Sequence, residues 1–222
     1  MNDAQLELAQ LLCTRLCHDL AGPVGAVAAG VELIGGDPTQ VDAETLGLIG
    51  NSSAAASLKL KFMRAALGAV GASGDAKSLF DGYLEAVAGP GGKPLVTWPN
   101  PDAMAIGAAQ LGAPWFQTVL NLCLLTLEAQ AGCKALAFDV GAQPLTITIE
   151  SRSAPDRVAV LKDELIAAVA GSAGAVLTAK TVHAGLAGRL VRAAGGVVSL
   201  AAAGNCVTVT ATYPAAARGR SA

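Results

Sequence analysis

The first third of the chain carries a hydrophobic pattern that repeats every three or four residues. Between residues 4 and 35 the positions alternate in steps of four and three: Leu6, Gln10, Cys13, Cys17, Leu20, Val24, Val27, Val31 and Ile34. This heptad spacing is typical of a helix that packs along one seam. A second heptad follows: Leu46, Ile49, Ser53, Ala56, Leu60, Met63, Leu67 and Val70. The turn-forming residues 35–42 lie between them, so the pattern predicts an antiparallel helical hairpin, with Asp42 capping its second helix.

One hairpin has too few surfaces to bury this apolar area. Leu12, Leu16 and Leu20 form another apolar row beside the first heptad. A helix with so wide an apolar stripe needs more than one neighbour. We therefore expect a homodimeric four-helix bundle built from residues 4–35 and 42–70. The alternative is that the row packs against the C-terminal half of the same chain.

The rest of the chain alternates between helical and strand-like segments. Residues 71–76 have the composition of a linker, so we predict a helical hairpin domain at 1–72 and a second domain at 73–222. Its final two strands surround a short turn and form a hairpin. These elements predict an α+β sandwich, one helical layer on one sheet. The predicted helices are 77–88, 113–130, 156–169 and 182–194, and the predicted strands are 94–98, 136–140, 145–150, 197–201 and 206–213.

Composition excludes several classes of function. Hydrophobic residues make up 53% of the chain and charged residues 14%, which argues against disorder, and the net charge of −2 gives no footprint for nucleic acid. The polar N-terminus has no signal-peptide core, and no apolar run approaches the ~18 residues of a membrane helix. We expect a cytoplasmic protein that binds neither membrane nor nucleic acid. The five scattered cysteines indicate reduced core thiols rather than disulfides or a metal site, since no second ligand pair has zinc-like spacing.

His18 is the candidate for chemistry. Its place in the heptad puts it on the solvent side of the helix, where a lone histidine usually has no function. Asp19 follows directly and supplies a carboxylate. Pro23 lies in the middle of the helix, where it removes the hydrogen bond to the Asp19 carbonyl and costs about 3 kcal/mol. A local rule broken without an evident packing gain points to function.

A docking surface is predicted around His18. The exposed residues one and two turns further on are small and uncharged, which lets another protein approach closely. If the hairpin turns near residue 39, position 18 lies level with about position 60, where three cations can meet a phosphoryl group or an acidic partner. A solvated helix face is the alternative interpretation of these charges. The predicted docking surface comprises Arg15, Ala21, Gly22, Gly25, Ala29, Lys59, Lys61 and Arg64.

Three segments resemble those of a known family. They are RLCHDLAGP around His18, VLNLCLLTLEA at 119–129 and AGLAGRLVRAAGGVVSL at 184–200. The first is similar to the H-box of sensor histidine kinases, the second to their N-box, and the third to the last helix and Gly-Gly turn of their ATPase domain. Over residues 8–213 the order of elements most resembles the ChpT-type histidine phosphotransferases of alphaproteobacteria. The resemblance implies a degenerate ATPase-like sandwich behind the hairpin.

The departures from the kinase pattern concern ATP. Asn121 matches the first N-box asparagine, but Leu125 stands where kinases have the magnesium-binding second one. The D-x-G-x-G motif is missing after the strand at 145–150, and the glycine-rich lid is reduced to a short segment around His183. Phosphate binding needs closely approaching glycine amides and a metal ligand. We therefore expect no ATP binding, and we expect His183 to be structural.

The resemblance implies a phosphorelay protein. His18 would accept a phosphoryl group from the receiver-domain aspartate of a hybrid histidine kinase and pass it to a response regulator. Asp19 would assist at Nδ1 while Nε2 attacks, and the receiver would bring the magnesium, so this chain would need no cofactor. The alternatives are an active ATP-dependent histidine kinase and a noncatalytic dimeric scaffold.

Overall fold

A helical unit and a sheet-containing unit make up the fold. The structure is a computed structural model that describes residues 3–36, 42–68, 74–88, 92–172 and 175–214. The first unit holds Met1–Gly68 and Asp75–Lys93, and the second holds Ala69–Gly74 and Pro94–Ala222. Val70, most of the predicted turn at 35–42 and part of the predicted linker at 71–76 lie outside the described residues. In the described residues, no helix has the length and apolar character needed to cross a membrane.

The helical unit contains three helices. Helix α1 spans Asp3–Gly36, α2 spans Ala43–Leu67 and α3 spans Ala76–Val87. Asp42 caps α2 as predicted, because its carboxylate accepts the Thr45 N–H at 2.6 Å. Asp75 caps α3 in the same way through the Lys77 N–H. The first two helices run antiparallel and contact each other along their length.

Helix α3 belongs to the helical unit, and this differs from the predicted division at residues 72 and 73. Phe62 of α2 is fully buried and stacks on Tyr83 of α3, with ring centroids 4.5 Å apart. The ring centroid of Phe80, also on α3, lies 6.0 Å from that of Phe62. Aromatic burial of this kind is a large share of the core energy in a small helical unit. The amphipathic third helix therefore packs on the C-terminal part of α2.

The face of α1 that meets α2 includes only part of the predicted heptad. Half-buried residues come from the predicted outer row and from the heptad alike: Leu12, Leu16, Leu20, Val27 and Ile34. Gly30 is buried against Ile49, a member of the second heptad. At about 100° per residue these α1 positions lie within one arc, and the other heptad positions of α1 lie beside that arc on the outer side. The hairpin contact is thus rotated relative to the prediction. The large hydrophobic heptad residues that remain exposed are Leu6 at 43%, Val24 at 56%, Val31 at 55%, Leu46 at 54% and Leu60 at 50%.

The second unit is a five-stranded mixed sheet with helices packed on it. Strands β1 (Leu95–Thr97), β2 (Ala135–Ala142), β3 (Leu145–Arg152), β4 (Val197–Ala203) and β5 (Cys206–Tyr213) take the order β1-β2-β3-β5-β4. The β1–β2 pair is parallel and the others are antiparallel. The helices are α4 (Pro101–Leu111), α5 (Pro114–Ala129), α6 (Asp163–Ala170) and α7 (Val182–Ala193). The α+β class and the N-terminal helical hairpin are therefore confirmed.

Helix α5 is the centre of this unit. Its residues from Trp115 to Thr126 are all buried, because it packs on β3 and β5 and also contacts α4 and α7. The facing strand β3 alternates buried and half-buried residues, with Ile147 and Ile149 almost fully enclosed. A helix buried nearly all round is typical of the interior of a layered α+β unit.

Two elements differ from the sequence prediction. Helix α4 was missed, although Asn100 caps it by accepting the Ala103 N–H at 2.8 Å and Pro101 opens it. The predicted helix at 156–169 is wrong in its first half, because α6 begins only at Asp163. Residues 157–162 form neither helix nor strand, and the Ala159 N–H donates to the Gly204 carbonyl at 2.8 Å. The alternating valines there favour extended backbone.

A glycine pair tests the close contact between α1 and α2. A Cβ at Gly30 would overlap the Ile49 side chain, whereas a Cβ at Gly50 would meet no atom within 4 Å. Gly30→Ala should destabilise the protein by about 1–3 kcal/mol through overpacking. Gly50→Ala should stabilise it by about 0.5–1 kcal/mol, because alanine is the better helix former. Chemical denaturation measures both, and equal stabilisation by the two substitutions would contradict the described packing.

Candidate functional site

His18 lies on the open side of an uninterrupted helix. Its side chain is 83% exposed, as the heptad frame predicts. Helix α1 continues through it and through Pro23 for a further 13 residues to Gly36. The imidazole is therefore presented to solvent by a rigid element rather than by a loop. This placement leaves room for a second protein to reach the ring.

Asp19 holds one of the two ring nitrogens. The His18 Nδ1 atom lies 3.4 Å from Asp19 Oδ1, a long contact between neighbouring residues. The other carboxylate oxygen, Oδ2, accepts a hydrogen bond from Arg15 Nε at 2.9 Å. A carboxylate beside Nδ1 favours the tautomer with the proton on that nitrogen. The lone pair of the neutral ring is then on Nε2, the nitrogen that the sequence analysis expects to attack.

The main-chain carbonyl of Asp19 has an unusual partner. Residue 23 would normally donate its N–H to this oxygen, but proline has no N–H to give. Lys59 of α2 supplies the donor instead, with Nζ 3.2 Å from the Asp19 oxygen. The predicted level of position 18 with about position 60 is consistent with this contact. Pro23 thus leaves the Asp19 carbonyl without its helical donor, and the opposite helix supplies another donor.

The small residues predicted for docking are all open. Ala21, Gly22, Gly25 and Ala29 are exposed. A Cβ built on either glycine meets no atom within 4 Å. Packing inside the chain therefore does not require glycine at either place, although both weaken the helix. The face next to His18 is small and unobstructed.

The predicted cation cluster is only partly assembled. Lys59 reaches Asp19, and Arg15 reaches the same residue from its own helix. Lys61 and Arg64 are exposed but make no contact with His18 or Asp19 among the described residues. They line a cavity of about 380 Å³ that is otherwise apolar and whose other walls are Leu16, Leu60, Met63, Leu67 and Gly68. Their place beside the imidazole stays a prediction.

The five cysteines form no disulfide with one another, and two of them are exposed. Cys13 and Cys17 lie on α1, in contrast to the expected core position, because their heptad positions face outward. Cys123 and Cys206 are buried as expected. Burial raises the pKa of Cys133 to about 11, so that thiol stays protonated at neutral pH. In the described ranges, no cluster of three or more His, Cys, Asp or Glu could hold a metal ion.

The N-box region of the second unit is closed by apolar packing. Asn121 is fully buried and its Nδ2 donates to the Gln117 carbonyl of its own helix at 2.8 Å. Leu125, one turn further on, is also fully buried. Its side chain therefore belongs to the core, and a leucine offers no oxygen to a magnesium ion.

His183 has a buried partner that the sequence did not indicate. The side chain is 1% exposed, and its Nδ1 lies 2.9 Å from Oε1 of Glu128. Glu128 stands at the end of α5 and His183 at the start of α7, so the contact ties two core helices together. No periodicity or motif links residues 55 positions apart, and only the fold brings them into contact. The pair agrees with the structural role expected for His183.

Comparison with known proteins supports the resemblance. No protein-family model matches the chain. The protein phosphotransferase ChpT of Brucella abortus (strain 2308) is 39% identical over 99 residues, which span 42% of this chain and 44% of that protein. The 1.7 Å structure of a bacterial phosphotransferase matches 95% of this chain and 97% of its own, with a TM-score of 0.71 and 24% identity.

A histidine kinase domain from Erythrobacter litoralis EL346 aligns with 96% of the chain, but with a TM-score of only 0.30 and 17% identity. The similarity to ChpT is thus confirmed for less than half the length of that relative, and the fold for nearly the whole chain.

A double-mutant cycle tests the contact between Lys59 and the Asp19 carbonyl. Lys59→Met keeps most of the stem but removes the donor, so it should lower the free energy of unfolding by about 1–2 kcal/mol. Pro23→Ala restores the helical N–H, and Lys59→Met should then have a much smaller effect. Lys61→Met, at an exposed position, should change stability by less than about 0.5 kcal/mol. Chemical denaturation gives all three values, and an equal effect of Lys59→Met in both backgrounds would contradict the assignment.

Proposed function

We propose that the chain is a histidine phosphotransferase that relays phosphoryl groups between receiver domains. The observation that carries the proposal is the exposed His18 ring with Nδ1 beside Asp19. The similarity to ChpT and to the fold of a bacterial phosphotransferase supports it. The donor would be an aspartyl phosphate on the receiver of a hybrid histidine kinase, and the acceptor the aspartate of a response regulator.

The transfer step needs few groups from this chain. The Nε2 lone pair of neutral His18 attacks phosphorus, so a P–N bond forms. The P–O bond to the donor aspartate breaks, and that carboxylate leaves with the electron pair. The Nδ1 proton stays on the ring, which now carries a positive charge next to the Asp19 carboxylate. The second transfer reverses these steps on another receiver, and alignment of the two reacting groups supplies most of the rate.

The second unit is proposed to lack kinase activity. Leu125 packs in the core where a kinase would bind magnesium, and the D-x-G-x-G motif is missing after the third strand. We therefore propose that the chain uses no nucleotide and no cofactor of its own, and that magnesium comes with the receiver. An active histidine kinase and a noncatalytic dimeric scaffold remain the alternative functions. We further propose that the protein acts in the cytoplasm, where receiver domains and their kinases' catalytic parts are found.

The receiver is proposed to dock on the small-residue face of α1. Ala21, Gly22, Gly25 and Ala29 are exposed and carry neither bulk nor charge. A receiver can approach closely there, because nothing projects beyond the helix backbone by more than a methyl group. The exposed cations Lys61 and Arg64 contribute positive charge on the neighbouring helix, which favours encounter with an acidic partner.

A second copy of the chain is proposed to cover the exposed heptad. Val24 and Val31 of α1 and Leu46 and Leu60 of α2 are about half exposed or more. At about 100° per residue these positions turn away from the α2-facing arc on one side of the hairpin, and His18 turns away on the other. A dimer through this heptad would bury apolar surface and leave His18 accessible. The result would be the four-helix bundle that the sequence pattern predicts.

Substitution of His18 tests the function. His18→Ala should fold normally, because the side chain is mostly exposed and alanine favours the helix. The variant should accept no phosphoryl group from a phosphorylated receiver, and Cys17→Ala, at the neighbouring exposed position, should accept it at the wild-type rate. A phosphotransfer time course with matched circular dichroism measures this. Equal transfer by His18→Ala would end the proposal, and autophosphorylation of the wild type from magnesium-ATP would favour the kinase instead.

Light scattering tests the dimer. The wild type should have twice the chain mass at micromolar concentration. Val24→Glu and Leu60→Glu should convert it to a folded monomer, because both side chains are already half exposed within one chain. Ala29→Glu places the same charge on the His18 side of α1 and should stay dimeric. A monomeric wild type, or dimers in all three variants, would contradict the proposed interface.

A further inference from the structure

Arg15 was expected to meet a partner, and the structure pairs its guanidinium with Asp19. Its Nε donates to Oδ2 of that residue at 2.9 Å. Only 23% of the Arg15 side chain and 15% of the Asp19 side chain are exposed. The spacing of four residues puts the two side chains on the same face of α1, one turn apart. The guanidinium is thus largely withdrawn from a docking partner.

The Asp19 carboxylate is shared unequally between its two neighbours. The oxygen that faces Arg15 makes a short contact, whereas the oxygen that faces His18 lies 3.4 Å from Nδ1. Arginine stays charged at all physiological pH values, so its hold on the carboxylate does not vary. A carboxylate that is paired with a guanidinium offers less charge to a third group.

The position of this carboxylate is fixed from both helices. Lys59 of α2 binds the main-chain oxygen of Asp19, and Arg15 of α1 binds its side chain. Both cations therefore bind Asp19, whose other carboxylate oxygen lies beside His18 Nδ1. The aspartate is consequently held by its backbone and by one side-chain oxygen, and only the second oxygen is left for His18.

We propose that Arg15 is a positioning residue that acts on His18 through Asp19, and that it limits the share of the carboxylate's charge that reaches the imidazole. This role rests on the proposed function of His18 as phosphoryl acceptor. Only the neutral ring has a lone pair for attack, and the carboxylate oxygen that Arg15 leaves beside Nδ1 keeps that lone pair on Nε2.

The test uses a small phosphoryl donor, so that docking plays no part. Phosphoramidate transfers its phosphoryl group to the histidine as the P–N bond to ammonia breaks and the P–Nε2 bond forms. The rate of this reaction on the full-length protein is measured against pH for the wild type and Arg15→Gln. Arg15→Gln should move the pH profile to higher pH by at least about half a unit, because the carboxylate then pairs with the imidazolium alone.

Three further variants separate positioning from a general effect. Arg15→Lys keeps the charge and should restore most of the wild-type profile. Thr14→Ala lies next to Arg15 on the exposed surface, makes no contact with Asp19, and should leave the profile unchanged. Asp19→Asn removes the carboxylate and should move the profile to lower pH. In that background Arg15→Gln should have no further effect, since its influence passes through the carboxylate.

The outcomes divide clearly. A profile that does not move in Arg15→Gln, or an equal shift of that substitution in the Asp19→Asn background, would overturn the positioning role. An unchanged profile combined with weaker binding of a receiver would also overturn the positioning role, and it would indicate that Arg15 contributes to docking instead. If phosphoramidate modifies His18 as described but no receiver exchanges phosphate with it, the relay fails while the role of Arg15 stands.

Discussion

The main-chain oxygen of Asp19 is the point on which the geometry of the site depends. Proline four residues further along has no N–H to donate, so the first helix carries a carbonyl without its usual partner. Lys59 of the second helix reaches that oxygen at 3.2 Å. One hydrogen bond therefore offsets the loss at the proline and pins the turn of α1 that bears His18 to α2. The residues proposed to carry the chemistry are held by a contact between helices as well as by the helix itself.

This constraint explains how an exposed histidine can be well positioned. A side chain that is 83% exposed receives little support from packing. Its support comes instead from Asp19, whose backbone and carboxylate are held by cations from two helices. The opposite side of the hairpin carries the exposed valines and leucines of the heptad. The proposed relay surface and the proposed dimer surface thus occupy different sides of the same two helices.

Much of this arrangement could be predicted from the sequence, because it depends on local rules. Heptad spacing, the Asp42 cap and the breaker at Pro23 identify the hairpin and the turn that bears His18. The face of α1 that packs on α2 was harder to predict. The heptad and the Leu12–Leu16 row lie on adjacent arcs of the helix, and periodicity alone does not say which arc meets the partner helix. The start of α6 was placed too early, because the Ala159 N–H bonds to a turn distant in sequence, at Gly204, instead of within a helix. The contacts of Lys59, Arg15 and the His183–Glu128 pair depend on side-chain geometry across the fold, which no spacing rule contains.

The most direct test of the account is the position of the phosphoryl group after incubation with a phosphorylated receiver. Nuclear magnetic resonance on the ¹⁵N-labelled protein, with detection of the coupling between phosphorus and ring nitrogen, identifies the bonded atom. Because Asp19 engages Nδ1, the account predicts a single phosphohistidine, at Nε2 of His18. Phosphate on Nδ1 of that ring, or on any other residue of the chain, would contradict it.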